Sequence, residues 1–391
     1  MFRIYPRTTL GCAEVFEFTT LKWNPLLQHQ FPKFQFCTAT STSTSNSRSF
    51  VVSYLVNNCA FSQETALKAS RNLYFSKPQK PDSVLSFFRN HAFSNSHISQ
   101  TLQKSPVLLS YNAQKVLLPK FEFLRSKGAS SLDIIHTVTA CPNFLRRSLE
   151  NHIIPTYEFI RGLLQNFLTD KQIIDFVILN PPLLYESCVA PNLKLLLDSG
   201  VTHSKIVKLL QRWPRVLYLG DISKTVQELK QMGFDASLYT FCVALLAKRT
   251  VNESKWAKKI DTYKRWGWSQ EQVLLAFRKQ PYCMLSSCDK INAVMSYWVE
   301  QAGFNSVDLV KSPGVILLSL RKRIAPRACV LQFLVSKRLL RKDASLTAPF
   351  VLTEKLFLEN YVKRFREDSS HLLKLYTENM SLGNDRDKAC M

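Results

Sequence analysis

The sequence contains no long apolar run. No stretch approaches the ~18 uninterrupted apolar residues that a membrane-spanning helix requires. With 46% hydrophobic residues, however, the chain can bury a substantial core, which excludes wholesale disorder. The sequence therefore predicts a folded protein without a membrane span.

The usual motifs of catalysis and metal binding are also missing. There is no GxxxxGK[ST], GxGxxG, GxSxG, HExxH or CxxC, and the closest cysteines, Cys283 and Cys288, are five residues apart. We therefore expect no enzyme activity, no cofactor, no metal site and no small-molecule substrate. The ten cysteines are interpreted as small buried residues in a reducing compartment, although a zinc site built from remote residues remains an alternative.

Acidic residues are scarce relative to basic ones. The chain has 29 acidic residues and 52 lysines and arginines, which gives a formal net charge of +23. Such an excess attracts polyanions but does not determine a fold. Nucleic acid is the first candidate partner, and a generally solvated basic surface or an anionic membrane surface are the alternatives.

Acidic residues are rarest at the N-terminus. Residues 1–63 contain only Glu14 and Glu17 against five basic residues, and nine of the twelve residues from Thr38 to Ser49 are Ser or Thr. This composition is typical of an organelle transit peptide, with a merely disordered tail as the alternative. We expect residues 1–50 to be that peptide, for the mitochondrion or alternatively the chloroplast, and residues 51–81 to form a poorly ordered linker.

A motif of proline followed by an apolar pair recurs along the rest of the chain. The proline spacings are 36, 39, 33, 67 and 32, and the 67 is interpreted as two periods with Thr250 in place of a proline. Proline disfavours helix at the residue before it, so each motif is expected to end one helix and begin a short buried turn. The motif prolines are Pro106, Pro142, Pro181, Pro214, Pro281 and Pro313.

Glycines mark a second boundary in each repeat. Five of them stand two residues before a Ser, Thr, Asp or Asn, as expected where one helix ends and the next is capped. These glycines are Gly128, Gly200, Gly233, Gly267 and Gly303. A second proline follows the first by thirteen residues at Pro119, Pro155 and Pro326, which is interpreted as the first turn of the second helix.

Each unit of about 33 to 39 residues is thus predicted to be a helix, a proline turn and a second helix. Such units bury their apolar faces only against neighbours, which predicts an all-α helical-repeat solenoid. We expect repeats over 82–340, closing helices over 341–378 and a flexible tail over 379–391.

The repeat resembles that of the mitochondrial transcription termination factor (mTERF) family, in particular its plant organellar members. The resemblance covers roughly residues 82 to 365 and extends to the segment Leu352–Val362, which looks like the closing segment of those proteins. It implies a right-handed superhelix that holds nucleic acid in a basic groove and acts in organelle gene expression. It further implies a regulator of transcription, including termination, in which the bound protein obstructs the polymerase.

Cations recur at one position of the repeat, two residues before the proline. We call this set the basic row and expect it to contact phosphates. Duplex DNA is the first expected partner and RNA the second. The protein is expected to bind as a monomer. Helix C-termini also favour cations without any ligand, by ~0.3–1 kcal/mol. The candidate nucleic-acid-binding residues, in the row and beside its turns, are Lys104, Arg212, Arg215, Lys248, Arg249, Arg278, Lys279, Lys311, Arg321 and Arg323.

Two other functions fit a helical repeat. A reader of single-stranded RNA of the pentatricopeptide kind has units of similar length but no proline turn within them. A protein-binding scaffold need not have a basic surface, so binding that is independent of salt would favour it. Trp213, Trp256, Trp266, Trp268 and Trp298 could stack on bases, but their spacing favours core packing.

The N-terminal segment makes the first testable prediction. Residues 1–50 fused to a fluorescent reporter are expected to direct it into an organelle, because the segment is basic, hydroxyl-rich and poor in acid. Protein lacking these residues should stay in the cytosol. Unchanged import of the truncated protein, seen by microscopy, would contradict the prediction.

Overall fold

The computed structural model describes residues 43–340 and 344–388, and their side chains over 48–340 and 344–380. Every regular element in these ranges is helical, which confirms the predicted all-α helical repeat. Within the same ranges, no helix is both long and apolar enough to cross a membrane.

Seven units follow one another in the described chain, each with a first helix, a short turn helix and a second helix, except that unit 5 has no turn helix. Units 1 to 4 comprise Asn95–Lys104, Pro106–Ser110 and Ala113–Ser126; Ser131–Ala140, Pro142–Arg146 and Leu149–Leu164; Asp170–Leu179, Pro182–Tyr185 and Val189–Asp198; His203–Arg212, Arg215–Tyr218 and Ser223–Gln231. Units 5 to 7 comprise Tyr239–Thr250 and Glu253–Arg265; Gln270–Lys279, Pro281–Met284 and Cys288–Gln301; Asp308–Lys311, Pro313–Leu317 and Leu320–Ser336.

Helices also flank the units. Before unit 1 lie Ser43–Cys59, Gln63–Ala69 and Gln79–Asn90, and after unit 7 lie Ala348–Val351, Glu354–Leu358, Glu359–Lys363 and Ser369–Lys388. The predicted linker over 51–81 is therefore wrong where these helices run: Val51 and Leu55 are buried, because the apolar residues there recur at helical spacing. The predicted boundary at residue 50 falls inside the first helix, and the leader over 1–42 lies outside the described residues. The tail predicted to be flexible from 379 is helical to Lys388.

The predicted glycine boundaries are confirmed. All five glycines have positive φ angles, between 68° and 97°, a conformation that side chains with a Cβ disfavour. Ala92 ends the helix Gln79–Asn90 in the same left-handed conformation, with φ 63°, and Ser94 then caps unit 1. This boundary was missed because alanine does not signal it.

The predicted caps after the glycines are only partly right. Ser130 and Ser269 form capping boxes, as does Thr169 between units 2 and 3. Asp235 and Asn305, in contrast, accept hydrogen bonds from the amides two residues later, and their helices begin farther on. Their side chains stabilise a turn instead of a helix N-terminus.

The second prolines lie deeper in the second helix than predicted. Pro119, Pro155 and Pro326 each follow the N-cap residue by seven positions and come directly after a π-helical turn. A proline at this depth clashes with the carbonyl four residues earlier and supplies no N–H. The wider π turn accommodates both effects, so the helix continues through the proline.

Unit 5 departs from the repeat at its missing proline. In units 1, 2, 6 and 7 the proline lies six residues before the N-cap of the second helix. Thr250 follows the N-cap of its first helix, Leu238, by twelve residues, as the prolines of units 1 to 4 and 6 follow theirs, so it stands at the place predicted for the proline. The N-cap of the second helix, Asn252, comes only two residues later. Because threonine keeps its N–H, the helix Tyr239–Thr250 continues through the place of the proline, and no turn helix separates it from the second helix.

The units stack through like elements. First helices pack on first helices, as Asn95–Lys104 does on Ser131–Ala140, and second helices on second helices, as Glu253–Arg265 does on Cys288–Ser296. The turn helices form a row of their own, in which Pro281–Met284 contacts Pro313–Leu317. One apolar core runs through these contacts from Val51 to Phe350, so each unit is stabilised by its neighbours.

A buried arginine attaches the closing helices to unit 7. Arg327 is 2% exposed, and its Nη1 donates hydrogen bonds to the carbonyls of Pro349, Phe350 and Leu352 at 2.8 to 3.0 Å. Its guanidinium also lies 4.6 Å from the ring centroid of Phe357. Pro349 follows Pro313 by 36 residues, so this segment is a further turn of the repeat that the sequence analysis missed.

Arg327→Met is expected to lower the free energy of unfolding by about 2–4 kcal/mol, because it leaves the carbonyls of Pro349 and Phe350 without their buried donor. Urea unfolding of the whole chain measures the change. Arg364→Met is the control, since Arg364 is exposed, and it should change stability by less than about 0.5 kcal/mol. Equal losses in the two variants would contradict the role of Arg327.

Candidate nucleic-acid interface

The basic row connects unit 1 to unit 2 and unit 6 to unit 7. The Nζ of Lys104 donates to the carbonyls of Thr139 and Ala140 at 2.8 and 3.1 Å, and that of Lys279 reaches the carbonyl of Lys311 at 3.5 Å. Ala140 and Lys311 occupy the same repeat position as the lysines that reach them. Neighbouring row positions are therefore no farther apart than one lysine side chain can span.

These contacts have a local cause. Each first helix ends at its proline turn, so its last carbonyls have no partner within the helix. A cation in the last turn of the preceding unit satisfies them and also interacts favourably with the negative end of the helix. Part of the basic row thus stabilises the repeat regardless of any ligand.

Most predicted contact residues remain accessible. Seven of the ten are exposed to solvent: Lys104, Arg212, Arg215, Arg278, Lys279, Lys311 and Arg321. Arg215 and Arg321 already have partners within the protein. The structure therefore places a set of exposed cations at the C-terminal ends of the first helices and beside the turns.

Lys248 and Arg249 do not belong to this set. The Nζ of Lys248 lies 3.1 Å from a carboxylate oxygen of Glu228 and 5.0 Å from the ring centroid of Trp256. The Nη2 of Arg249 donates to the carbonyl of Leu219 at 2.7 Å. Both side chains are half-buried and contact unit 4, Lys248 from the row position and Arg249 from the residue after it.

Arg323 is also occupied within the protein. Its Nη2 donates a short hydrogen bond to the carbonyl of Leu352, beside the contacts of Arg327. The sequence signal, a cation after the last proline turn, could not distinguish this role from nucleic-acid binding. The third unit contributes no cation to the row, and its Leu179 is 72% exposed there.

The tryptophans divide between the core and its edge. Trp268 and Trp298 are buried, as predicted, while Trp213, Trp256 and Trp266 are half-buried. Trp213 stacks on Tyr239 with ring centroids 6.1 Å apart, and Tyr282 meets Trp213 edge-on at the same distance. Arg212 lies 5.5 Å from the Trp213 ring, which places this aromatic group beside the basic row.

Two cysteines of the first helix of unit 5 and the turn helix of unit 6 are fully buried. Burial raises the pKa of Cys242 to about 11 and that of Cys283 to about 12, so both stay protonated at neutral pH. Among the described residues, no group of three His, Cys, Asp or Glu side chains could hold a metal ion.

The partners of Lys248 and Arg249 make a testable prediction. Lys248→Met and Arg249→Met should each lower the free energy of unfolding by about 1 kcal/mol, because they remove an inter-unit ion pair or hydrogen bond. Lys311→Met and Arg278→Met, at exposed sites, should cost less than about 0.5 kcal/mol. Urea denaturation compares the four variants. If Lys248→Met and Arg249→Met proved as neutral as the exposed pair, the assigned contacts would be wrong.

Comparison with known families agrees with this architecture. The family model mTERF matches residues 85–237 and again residues 189–358. The two matches overlap, as expected when a repeated sequence can be aligned with the family model in more than one register. No curated protein matches the sequence. Since the matched residues make up more than half of the chain, the protein belongs to the mTERF family, whose helical, non-enzymatic members bind nucleic acid in organelle transcription or transcript processing.

Proposed function

We propose that this protein binds duplex DNA through the basic row and regulates organelle transcription, including its termination. The observation that carries the proposal is the set of exposed cations at equivalent positions of successive units. Four of them, Lys104, Arg212, Lys279 and Lys311, occupy the row position itself. Family membership supports nucleic acid as the partner class.

The spacing of the row suits a phosphate backbone. Packed helices lie ~8–10 Å apart, and phosphates follow one another every ~3.4 Å along one strand. Neighbouring units could thus meet every second or third phosphate. Arginine holds a phosphate through two parallel hydrogen bonds, whereas lysine acts as a point charge, so Arg212 and Arg278 would be the stronger anchors.

Binding of this kind regulates transcription without a catalysed reaction. Contacts to phosphates position a protein on nucleic acid, and a protein held by many of them obstructs a polymerase. The net charge of +23 also accelerates the encounter with a polyanion. The N-terminal segment supports import into the mitochondrion, with the chloroplast as the alternative, and we propose that the protein acts there as a monomer.

Single-stranded RNA in transcript processing is the second candidate. The aromatic group of Trp213, Tyr239 and Tyr282 favours it, because unpaired bases stack on such rings by about 1–3 kcal/mol each. Salt dependence separates the two polymers, since the slope per neutralised phosphate is about −0.9 for duplex DNA and about −0.7 for single strands. Binding to a protein, the third candidate, would depend little on salt.

Reversal of the row tests the proposal. The fourfold variant of Lys104, Arg212, Lys279 and Lys311 to Glu should lose most of its affinity for duplex DNA, because it changes one line of contacts by eight charges. For about six phosphates neutralised, the logarithm of the wild-type association constant should fall with a slope of about −5 against the logarithm of salt concentration. The variant should have a much shallower slope, measured by fluorescence anisotropy.

The matched control is the fourfold variant of Lys224, Lys258, Lys355 and Arg364 to Glu, which changes the net charge equally at exposed sites away from the row position. It should bind with a slope close to that of the wild type. Melting curves establish that both variants are folded, since Lys104 and Lys279 also hold neighbouring units together. Equal loss of binding by two folded variants would show that only bulk charge matters and would overturn the proposal.

A further inference from the structure

A polar pocket opens on the row of turn helices in the first three units. Its volume is about 340 Å³, within the ~300–1,000 Å³ range of small-ligand sites. It is lined by residues that end three successive turns: Tyr111, Asn143, Arg146, Arg147, Tyr185 and Glu186. None of the six belongs to the basic row.

The two arginines of the pocket are unusual for this surface. Neither Arg146 nor Arg147 forms an ion pair with a carboxylate among the described residues, whereas Arg161 nearby pairs with both Glu158 and Asp170. Arg146 donates from its Nη1 to the amide oxygen of Asn143 at 3.4 Å. Two adjacent guanidinium groups thus face the pocket with most of their donors available.

The rest of the lining is suited to an aromatic, hydrogen-bonding ligand. Tyr111 and Tyr185 are both half-buried and make no ring contact with each other, so a flat group can enter beside either ring. Burial raises the pKa of the Tyr185 hydroxyl, so it stays protonated at neutral pH and can donate a hydrogen bond. Asn143 and Glu186 add an amide and a carboxylate that can pair with the edge of a base.

We infer that this pocket binds a single nucleotide through its phosphomonoester, with the phosphate on Arg146 and Arg147 and the base against Tyr111 or Tyr185. A terminal phosphate carries a charge of about −1.5 to −2 at neutral pH, which suits two unpaired guanidinium groups better than the single charge of an internal phosphodiester does. A pocket of this volume accommodates one nucleotide.

The ligand can come from two sources that share this chemistry: the 5′-phosphorylated end of a nucleic-acid strand, or a free nucleoside monophosphate. The first source rests on the proposed function, because the basic row would deliver the strand to the pocket. The second source does not depend on it. Both place the phosphate on the same two arginines.

Binding of fluorescently labelled single-stranded oligonucleotides with a 5′-phosphate or a 5′-hydroxyl tests the inference in the full chain. The wild type should prefer the phosphorylated end by about tenfold. The R146Q/R147Q variant should lose this preference while keeping its affinity for duplex DNA. Tyr111→Ala should weaken binding of the phosphorylated oligonucleotide by at least about fivefold, through lost stacking.

The matched control is R364Q/R366Q, which removes two exposed arginines elsewhere and should keep the preference.

Competition by adenosine monophosphate identifies the free nucleotide as a source, and competition only by phosphorylated oligonucleotide identifies the strand end. The fourfold row variant separates the two proposals, since it should lose duplex binding and still bind adenosine monophosphate or prefer a 5′-phosphate. Equal binding of phosphorylated and hydroxyl ends by the wild type, with no binding of adenosine monophosphate, would overturn the inference. So would equal loss of preference in the two double variants.

Discussion

The carbonyl groups left unpaired at the proline turns are the constraint on which this structure depends. A proline ends each first helix early, and the buried carbonyls that follow must find donors elsewhere. Side chains of the preceding unit supply them: Asn192 donates to Leu217, Lys290 to Leu317 and Arg327 to Phe350. The same device recurs with different donors, so the requirement is for a hydrogen bond at that place and not for one residue type.

This constraint links stability to charge. Lysine and arginine reach farthest across the gap between units, so several of the cations on this surface are needed for packing. Lys259 is buried and donates to the carbonyl of Ser286, and its pKa is lowered by that burial. The basic character of the chain therefore has two physical sources, and only exposed cations with donors to spare can also hold a phosphate.

Unit 5 shows how a local change alters the surface. Without a proline its first helix continues to Thr250, the turn helix is missing, and the cations in the last turn of that helix lie against unit 4. At the same place aromatic side chains from units 4, 5 and 6 meet, since Trp213 contacts both Tyr239 and Tyr282. The missing proline of unit 5 thus interrupts the basic row at a place where an aromatic surface lies beside it.

The sequence by itself determined the helical repeat, the positions of most helix ends and the candidate cations, because proline and glycine act on the backbone of their own few residues. It did not reveal Ala92 as a helix end or Pro349 as a further turn. The tertiary structure decided which cations are accessible, since Glu228 and Leu219 engage Lys248 and Arg249 across 20 to 30 residues. It also decided the pocket, which needs side chains from three units. Such contacts depend on how units stack, and stacking is not encoded in any one repeat.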